Sequence, residues 1–192
     1  SSSWTLTALP LFVWMGEILF RTKLSENLFK GLSPWMQKLP GGLIHVNVVG
    51  CALFAAISGS SAATVATVGK MSIPELRKRN YPEKILLGSL AGSGTLGLLI
   101  PPSIILIIYG VAVQESIAKL FIAGIIPGIM IALIFMSYVI IWSLINKKSM
   151  PKMIEEYSFF EKIKRSKQLL PVIILILAVI GSIYTGIATA TE

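Results

Sequence analysis

The sequence contains no aspartate, a single histidine and a single cysteine, Cys51. A Ser-His-Asp triad, a thiolate metal site and a disulfide each need residues that this chain lacks. The sequence therefore offers few residues that could carry out acid–base or nucleophilic catalysis. We predict that the protein is not an enzyme.

Charge is also scarce, since only 14% of the residues are charged, whereas about 25% is usual for a soluble domain. The charged residues are clustered and leave long runs without any Asp, Glu, Lys or Arg, among them 39–69, 120–146 and 168–191. Apolar runs of about 18 residues or more are candidates for crossing a membrane. The sequence predicts an all-α integral membrane protein embedded in a lipid bilayer.

The formal net charge of +8 does not indicate nucleic acid as a partner, because the basic residues flank the apolar runs. Lys and Arg in such positions set the orientation of a membrane protein and mark its cytoplasmic side. Three basic clusters, at 21–38, 70–84 and 147–167, are therefore all expected to face the cytoplasm.

The uncharged segment 39–69 must then begin and end on the same side of the membrane. Its 31 residues are too few for two full crossings, which need about 20 residues each. We predict a re-entrant helical hairpin, with two arms of about 13 residues that reach about 20 Å into the bilayer. Its tip falls at Ser58-Gly59-Ser60-Ser61, where glycine and hydroxyl residues interrupt an otherwise apolar sequence.

A second interruption lies in the hydrophobic stretch 85–113, which contains Gly92-Ser93-Gly94-Thr95-Leu96-Gly97 and Pro101-Pro102. The segment from Gly92 to Gly97 lies about 8 to 13 residues beyond Lys84, which places it near the middle of a bilayer about 30 Å thick. Proline lacks an N–H and leaves upstream carbonyls unpaired, and such oxygens suit hard cations. Paired helix breaks at mid-membrane are typical of transporter sites. We predict that Ser58, Ser61 and the segment 94–102 share one cation site; the alternative is that the small residues only permit close helix packing.

The predicted organisation has three parts. The first, residues 1–38, holds a first span (4–20) and an amphipathic scaffold or arm helix (24–38). The second, residues 39–113, is part of a transport domain and consists of a re-entrant hairpin (39–71), a cytoplasmic turn (72–84) and a broken helix (85–113). The third, residues 114–192, holds two spans (120–146 and 168–187) joined by a basic cytoplasmic loop (147–167). Within the hairpin, Asn47 is expected to bridge neighbouring helices.

Three stretches carry a family resemblance: LPGGLIHVNVVGCALFAAISGSSAATVATVGKMSIPELRKRNY, SGTLGLLIPPSIILIIYG and LFIAGIIPGIM. They resemble the large membrane subunit of tripartite ATP-independent periplasmic (TRAP) transporters, and the similarity extends from about Leu9 to Glu192. The terminal GIATATE is similar to the G-x-x-T-P-T-E element of that family, with Ala190 where proline is common.

The resemblance implies a sodium-driven secondary transporter in the bacterial inner membrane. It would import an organic acid, such as a C4-dicarboxylate or a sialic-acid-like carboxylate, by an elevator motion of inverted repeats. A periplasmic substrate-binding protein and a small four-span membrane subunit are the implied partners. The chain is similar to roughly the N-terminal half of the large subunit, so the C-terminal half, with a second hairpin, is a further expected partner.

The resemblance also implies site residues, with Na⁺ as the coupling ion and no organic cofactor. It places a sodium site on six residues: Ser58, Ser61, Gly94, Gly97, Ile100 and Pro102. It places substrate beside five more: Gly59, Ser60, Thr95, Pro101 and Ser103. Two other functions stay open from the sequence, namely a binding-protein-independent sodium–dicarboxylate carrier and a channel whose re-entrant segment lines a pore.

Overall fold

In a computed structural model the chain is built from helices. The structure describes residues 24–151 and 157–185, together with 10, 14, 15, 17, 18, 21 and 22. From residue 24 onward the α-helices are α1 (Leu24–Met36), α2 (Ile44–Ser58), α3 (Ser61–Lys78), α4 (Glu83–Gly94), α5 (Ile104–Val113), α6 (Ile117–Ile145), α7 (Phe159–Ser166) and α8 (Leu170–Tyr184). Short 3₁₀ turns cover Thr95–Leu98, Lys147–Ser149 and Lys167–Leu169. The predicted all-α class is confirmed for these residues.

Helices α2 and α3 form an antiparallel hairpin. Near the turn, Phe54 and Ile57 of α2 share a buried cluster with Val68 of α3. At the opposite end, Val46 of α2 packs in another buried cluster with Leu76 of α3. Contacts that pair early residues of one helix with late residues of the other require that the chain doubles back.

The turn between α2 and α3 is set by two residues. Gly59 has a φ of 60°, in the left-handed region that glycine adopts without strain, and its N–H donates to the Ala55 carbonyl in a helix-ending bond. Ser60 is the N-cap of α3, and its hydroxyl accepts the Ala63 N–H at 3.4 Å. The helices thus end and begin at the residues where the sequence predicts the turn.

Helix α3 is longer than the predicted second arm of the hairpin. It continues through Pro74 to Lys78, although the sequence predicts a turn from residue 72. Arg77 and Lys78 lie in its last turn, where positive charge is favoured by the negative end of the helix dipole.

The base of the hairpin is closed by Tyr81. Its hydroxyl accepts the Leu43 N–H at 3.1 Å, and Leu43 is the N-cap residue of α2, at a helix start that has no intrahelical partner for its N–H groups. Burial raises the pKa of Tyr81, so the phenol stays neutral at physiological pH. The turn after α3 is therefore tied to the beginning of α2.

Helix α4 packs against α2 through a buried polar contact. The Asn47 side-chain amide donates to the Leu86 carbonyl at 3.2 Å and to the Ser89 hydroxyl at 3.1 Å. Asn47 is fully buried, so these bonds offset the loss of hydration of its NH₂ group, while its Oδ1 has no partner among the described residues. The predicted bridging role of Asn47 is confirmed.

Helix α1 is amphipathic and lies across the base of the hairpin. Its buried Phe29 and Leu32 share a cluster with Val46 and Leu76 of the hairpin, whereas Trp35 on the same helix is exposed. The predicted domain boundary after residue 38 is therefore crossed by a buried apolar contact.

Within the described part of the chain, two helical segments are long and apolar enough to cross a membrane: Ile117–Ile145, with a mean hydropathy of 2.5, and Phe159–Ile183, with 2.0. Large apolar side chains on these helices point outward, such as Ile126, which is 77% exposed. Such exposure is costly in water and is expected where lipid surrounds the helix.

Some predicted elements fall wholly or partly outside the described residues. Of the first predicted span, 4–20, only residues 10, 14, 15, 17 and 18 are described, and each is helical. Residues 152–156 of the basic loop and the terminal GIATATE, 186–192, lie outside them.

Replacing Tyr81 with phenylalanine tests the closure of the hairpin base. Tyr81→Phe leaves the Leu43 N–H without its partner, and we expect the free energy of unfolding to fall by about 1 kcal/mol. Tyr109→Phe is the matched control, because Tyr109 is 53% exposed. Thermal unfolding of the purified protein measures both; equal midpoints for the two variants would contradict the assignment.

Candidate functional site

The hairpin tip and the broken helix meet in direct main-chain contact. The Ile104 N–H, at the start of α5, donates to the Gly59 carbonyl at 3.2 Å. On the other side of the tip, Gly97 lies so close that a Cβ there would be 2.8 Å from the Ser61 nitrogen. The two sequence interruptions therefore form one structural site.

Glycine at these contacts is required by space. A Cβ on Gly59 would lie 2.6 Å from the Pro102 carbonyl oxygen, and one on Gly97 would lie 2.9 Å from the Ser60 carbonyl carbon. Real Cβ atoms essentially never approach main-chain atoms so closely. The contact between tip and break thus depends on both glycines.

The prolines of the break leave carbonyl oxygens without their helical donors. In an uninterrupted α-helix the N–H groups at 101 and 102 would serve the carbonyls of Gly97 and Leu98, four residues earlier, but proline has no N–H. The Ser103 hydroxyl donates to the Leu98 carbonyl at 2.7 Å instead. Among the described residues, no side chain donates a hydrogen bond to the Gly97 carbonyl in this way.

Three of the six predicted sodium ligands have carbonyls without hydrogen bonds. Among the residues that the structure describes, no hydrogen bond reaches the carbonyl oxygen of Gly97, Ile100 or Pro102. Gly97 and Pro102 are buried, and Ile100 is half-buried. Buried carbonyls are nearly always paired, so these oxygens fit a ligand of the alkali-cation type.

The two predicted serine ligands differ in their surroundings. The Ser58 hydroxyl is fully buried and lies 2.9 Å from the Thr64 hydroxyl. The Ser61 hydroxyl has no hydrogen bond to any described residue, and Ser61 is half-buried. Gly94, the remaining predicted ligand, lies near them, since a Cβ on it would be 3.9 Å from the Ser61 carbonyl oxygen.

Thr64 belongs to this site although the sequence prediction did not include it. It is fully buried and lies in the first turn of α3, three residues after Ser61. Residues spaced by three share one face of a helix. That spacing is the signal that could have found it.

The residues predicted to lie beside substrate occupy the same contact. Ser60 caps α3, whereas Ser103 is fully buried and its hydroxyl holds the Leu98 carbonyl. Thr95 is exposed, and its hydroxyl donates to the Gly92 carbonyl at 2.7 Å. Gly59 and Pro101 complete the set, and the substrate role of all five stays a prediction.

The electrostatics of the site come from dipoles and oxygens. Segments 39–69 and 85–113 contain no Asp, Glu, Lys or Arg. The carboxyl end of α2, with negative partial charge, and the amino end of α3, with positive partial charge, both lie at the tip. Across the described part of the chain, no group of three His, Cys, Asp or Glu residues could hold a metal ion. The arrangement suits a small hard cation and, beside it, an anion.

The described part of the chain combines helices long enough to cross a membrane with two helix interruptions, which meet where the hairpin tip contacts the broken helix. Together these features define a helical membrane protein of the transporter class. Comparison with known proteins agrees. The family model for the tripartite ATP-independent periplasmic transporter, DctM component, matches residues 1–192. The chain belongs to this family, whose members are large permease proteins and not enzymes.

Curated relatives differ in the substrate that their names give. A C4-dicarboxylate TRAP transporter large permease protein from Pseudomonas aeruginosa is 37% identical over 192 residues, 100% of this chain and 44% of the relative. A sialic acid large permease protein from Vibrio cholerae is 34% identical over 192 residues, 99% of this chain and 44% of the relative. An ectoine/5-hydroxyectoine TRAP transporter large permease protein from Ruegeria pomeroyi is 33% identical over 189 residues, 98% of this chain and 43% of the relative. The chain spans less than half the length of these relatives.

Adding one methyl group to Gly97 tests the contact between tip and break. Gly97→Ala forces the main chain at Ser60 and Ser61 to move, and overpacking of this kind destabilises a protein by about 1–3 kcal/mol. Gly88→Ala is the control: Gly88 lies within α4 and a Cβ there meets nothing within 4 Å, so a stabilisation of up to about 1 kcal/mol is expected.

Thermal or denaturant unfolding in detergent distinguishes the two glycine variants. A Gly97→Ala protein that is as stable as the Gly88→Ala protein would show that the tip does not press on the broken helix.

Proposed function

We propose that the chain is part of a sodium-coupled secondary transporter that imports an organic acid across the bacterial inner membrane. The observation that carries the proposal is the hairpin tip held against a broken helix whose Gly97, Ile100 and Pro102 carbonyls lack hydrogen bonds. Family membership supports transport as the activity. C4-dicarboxylates and sialic acid, which name two of the relatives, are carboxylic acids, and we extend that substrate class to this chain.

The α2–α3 hairpin enters the membrane from the cytoplasmic side and returns to it. Basic residues precede α2 and end α3, among them Lys38, Arg77 and Lys78, and positive charge of this kind stays in the cytoplasm. The helices have 15 and 18 residues, and about 20 residues are needed for a full crossing. The tip then lies inside the bilayer, where its polar groups must be satisfied by protein or by a bound ion.

The residues at the tip fit a sodium ion. The Ser58 and Ser61 hydroxyls and the carbonyls of the break (Gly94, Gly97, Ile100 and Pro102) would hold it, all hard oxygen donors. Bound there, sodium would supply a positive charge that satisfies the unpaired carbonyls and attracts a carboxylate. The Gly59–Ile104 hydrogen bond keeps the tip in register with the break, so hydroxyl and carbonyl oxygens stay together.

The anionic substrate binds beside the amino end of α3. Ser60 and Ser61 begin this helix, whose free N–H groups and positive dipole end favour a carboxylate. Thr95, exposed on the 3₁₀ turn of the break, offers a nearby hydroxyl. Anion binding therefore depends on the same tip that the cation orders, which is the physical basis of coupling.

Transport also requires partners outside this chain. A periplasmic substrate-binding protein delivers the acid, and a small four-span membrane subunit and the remainder of the large subunit complete the permease. The segment 39–113 moves as a loaded transport domain against a scaffold in which α1 is the arm. Because Phe29 and Leu32 of α1 pack on Val46 and Leu76, that motion requires this apolar contact to slide.

Removing the Ser61 hydroxyl tests the proposed cation site. Ser61→Ala removes one oxygen that has no hydrogen bond to any other described residue. Losing one hydrogen-bond-strength interaction with a charged ion should raise the sodium concentration for half-maximal uptake about tenfold. Ser58→Ala is a second variant, which also breaks the bond to Thr64. Uptake is measured in proteoliposomes containing the complete transporter and its binding protein.

Ser137→Ala is the matched control for hydroxyl loss. Ser137 is exposed on α6 and bonds only to the Leu133 carbonyl of its own helix, so sodium dependence should not change. Wild-type sodium dependence in the Ser61→Ala transporter would remove this residue from the ion site.

A further inference from the structure

A cleft of about 490 Å³ lies between α1, α3 and α7. It is separate from the hairpin tip, because its α3 residues come from the second half of that helix. Its charged lining consists of four basic and two acidic residues: Lys30, Lys70, Arg79, Arg165, Glu26 and Glu75. The cleft therefore carries a net charge of two positive.

The two carboxylates of the cleft are held by basic residues of their own helical segments. Glu26 is bonded by Lys30 within α1, and Glu75 accepts from Arg79 at 2.9 Å at the end of α3. Each of these pairs is neutral as a unit. Lys70 and Arg165 complete the basic lining of the cleft, and they lie on separate elements, α3 and α7.

Arg165 is positioned by an aromatic neighbour. Its guanidinium carbon lies 4.3 Å from the centre of the Tyr157 ring, and one of its nitrogens donates to the Tyr157 hydroxyl at 3.1 Å. A guanidinium held in this way loses less side-chain freedom when it binds an anion, and its planar fork of N–H donors matches phosphate oxygens.

The helix that carries Arg165 also has the features of a membrane-interface helix. Phe159 and Phe160 of α7 are 69% and 77% exposed. Trp35 of α1 packs edge to face on Phe159 and donates its indole N–H to Ser166 at 2.8 Å. Tryptophan and exposed aromatic rings concentrate at the depth of the lipid headgroups, and α8, an apolar helix, follows α7 directly.

The cleft combines this charge with an apolar lining. Phe29, Met71 and Pro74 lie beside the basic residues, so a ligand with a phosphate and an attached apolar part fits better than a fully hydrated anion. Basic pockets at the cytoplasmic side of membrane helices are suited to anionic headgroups.

We propose that this cleft binds the phosphate group of an anionic phospholipid from the cytoplasmic leaflet, with Lys70 and Arg165 approaching it from two sides. The choice of leaflet rests on the orientation given under the proposed function. The lipid would tie α1 and α7 to the cytoplasmic end of α3, and so connect the arm to the hairpin.

Native mass spectrometry of the complete membrane protein in detergent tests the proposal with phosphatidylglycerol as the probe. Lys70→Gln with Arg165→Gln should weaken phosphatidylglycerol binding by about tenfold or more, since each basic side chain near a headgroup contributes about 1 kcal/mol. The matched control is Lys78→Gln with Lys164→Gln, which removes the same charge from exposed positions of α3 and α7 outside the cleft. Its affinity should stay that of the wild type.

A charge-keeping variant separates binding from folding. Lys70→Arg with Arg165→Lys should retain affinity within about threefold, because both charges remain. Equal loss in the cleft variant and the control, no loss in either, or equal binding of phosphatidylcholine would overturn the proposal. Displacement of the bound phosphatidylglycerol by millimolar inorganic phosphate would show that the site binds a soluble phosphate and would overturn the proposal of a lipid site. The readout uses neither sodium nor substrate, so its failure is distinct from failure of the proposed transport.

Discussion

Buried main-chain polar groups that leave a helix must find hydrogen-bond partners, and this requirement explains the contact between the hairpin tip and the broken helix. Two segments of the chain interrupt their helices: α2 ends at Gly59, and α4 gives way to a 3₁₀ turn and two prolines. The structure brings these interruptions together, and the Gly59 carbonyl accepts the Ile104 N–H at 3.2 Å. Each break thereby satisfies part of the other.

The carbonyls that this contact leaves without hydrogen bonds are the basis of the proposed function. Because Pro101 supplies no N–H, the Gly97 carbonyl faces no donor among the described residues. The Ile104 N–H, which an uninterrupted helix would give to the Ile100 carbonyl, donates to Gly59 instead. Buried oxygens without donors cost free energy, and a cation at the proposed site would offset that cost. Ion binding at the proposed site would then depend on the position of the tip.

The hairpin is held at its other end by different forces. Tyr81 closes the base by one hydrogen bond to Leu43, and α1 covers it through Phe29 and Leu32. These apolar and hydrogen-bonded contacts position the tip without placing any ionisable residue near it. The charged residues that flank the hairpin in sequence lie at its base, and several of them line the basic cleft.

Local chemistry made the breaks predictable from the sequence. Glycine and three hydroxyl residues in an apolar run predicted the turn at Ser58–Ser61, and paired prolines predicted the broken helix; both follow from the backbone properties of these residues. The Ser58–Thr64 hydrogen bond and the cleft around Arg165 were not predicted, whereas the approach of the tip to segment 94–102 was. The features that were not predicted depend on how distant segments pack, which composition and spacing do not encode. Helix α3 also continues to Lys78, beyond the start of the turn predicted from residue 72.

The most direct test of this account is the side of the membrane on which the two ends of the hairpin lie. Lys38→Cys and Lys78→Cys would be introduced one at a time into a Cys51→Ala background, both at exposed positions, and treated with a membrane-impermeant maleimide in vesicles of known orientation. The account predicts that both cysteines react only from the cytoplasmic side. Reaction of the two from opposite sides would contradict the re-entrant hairpin and the ion site at its tip.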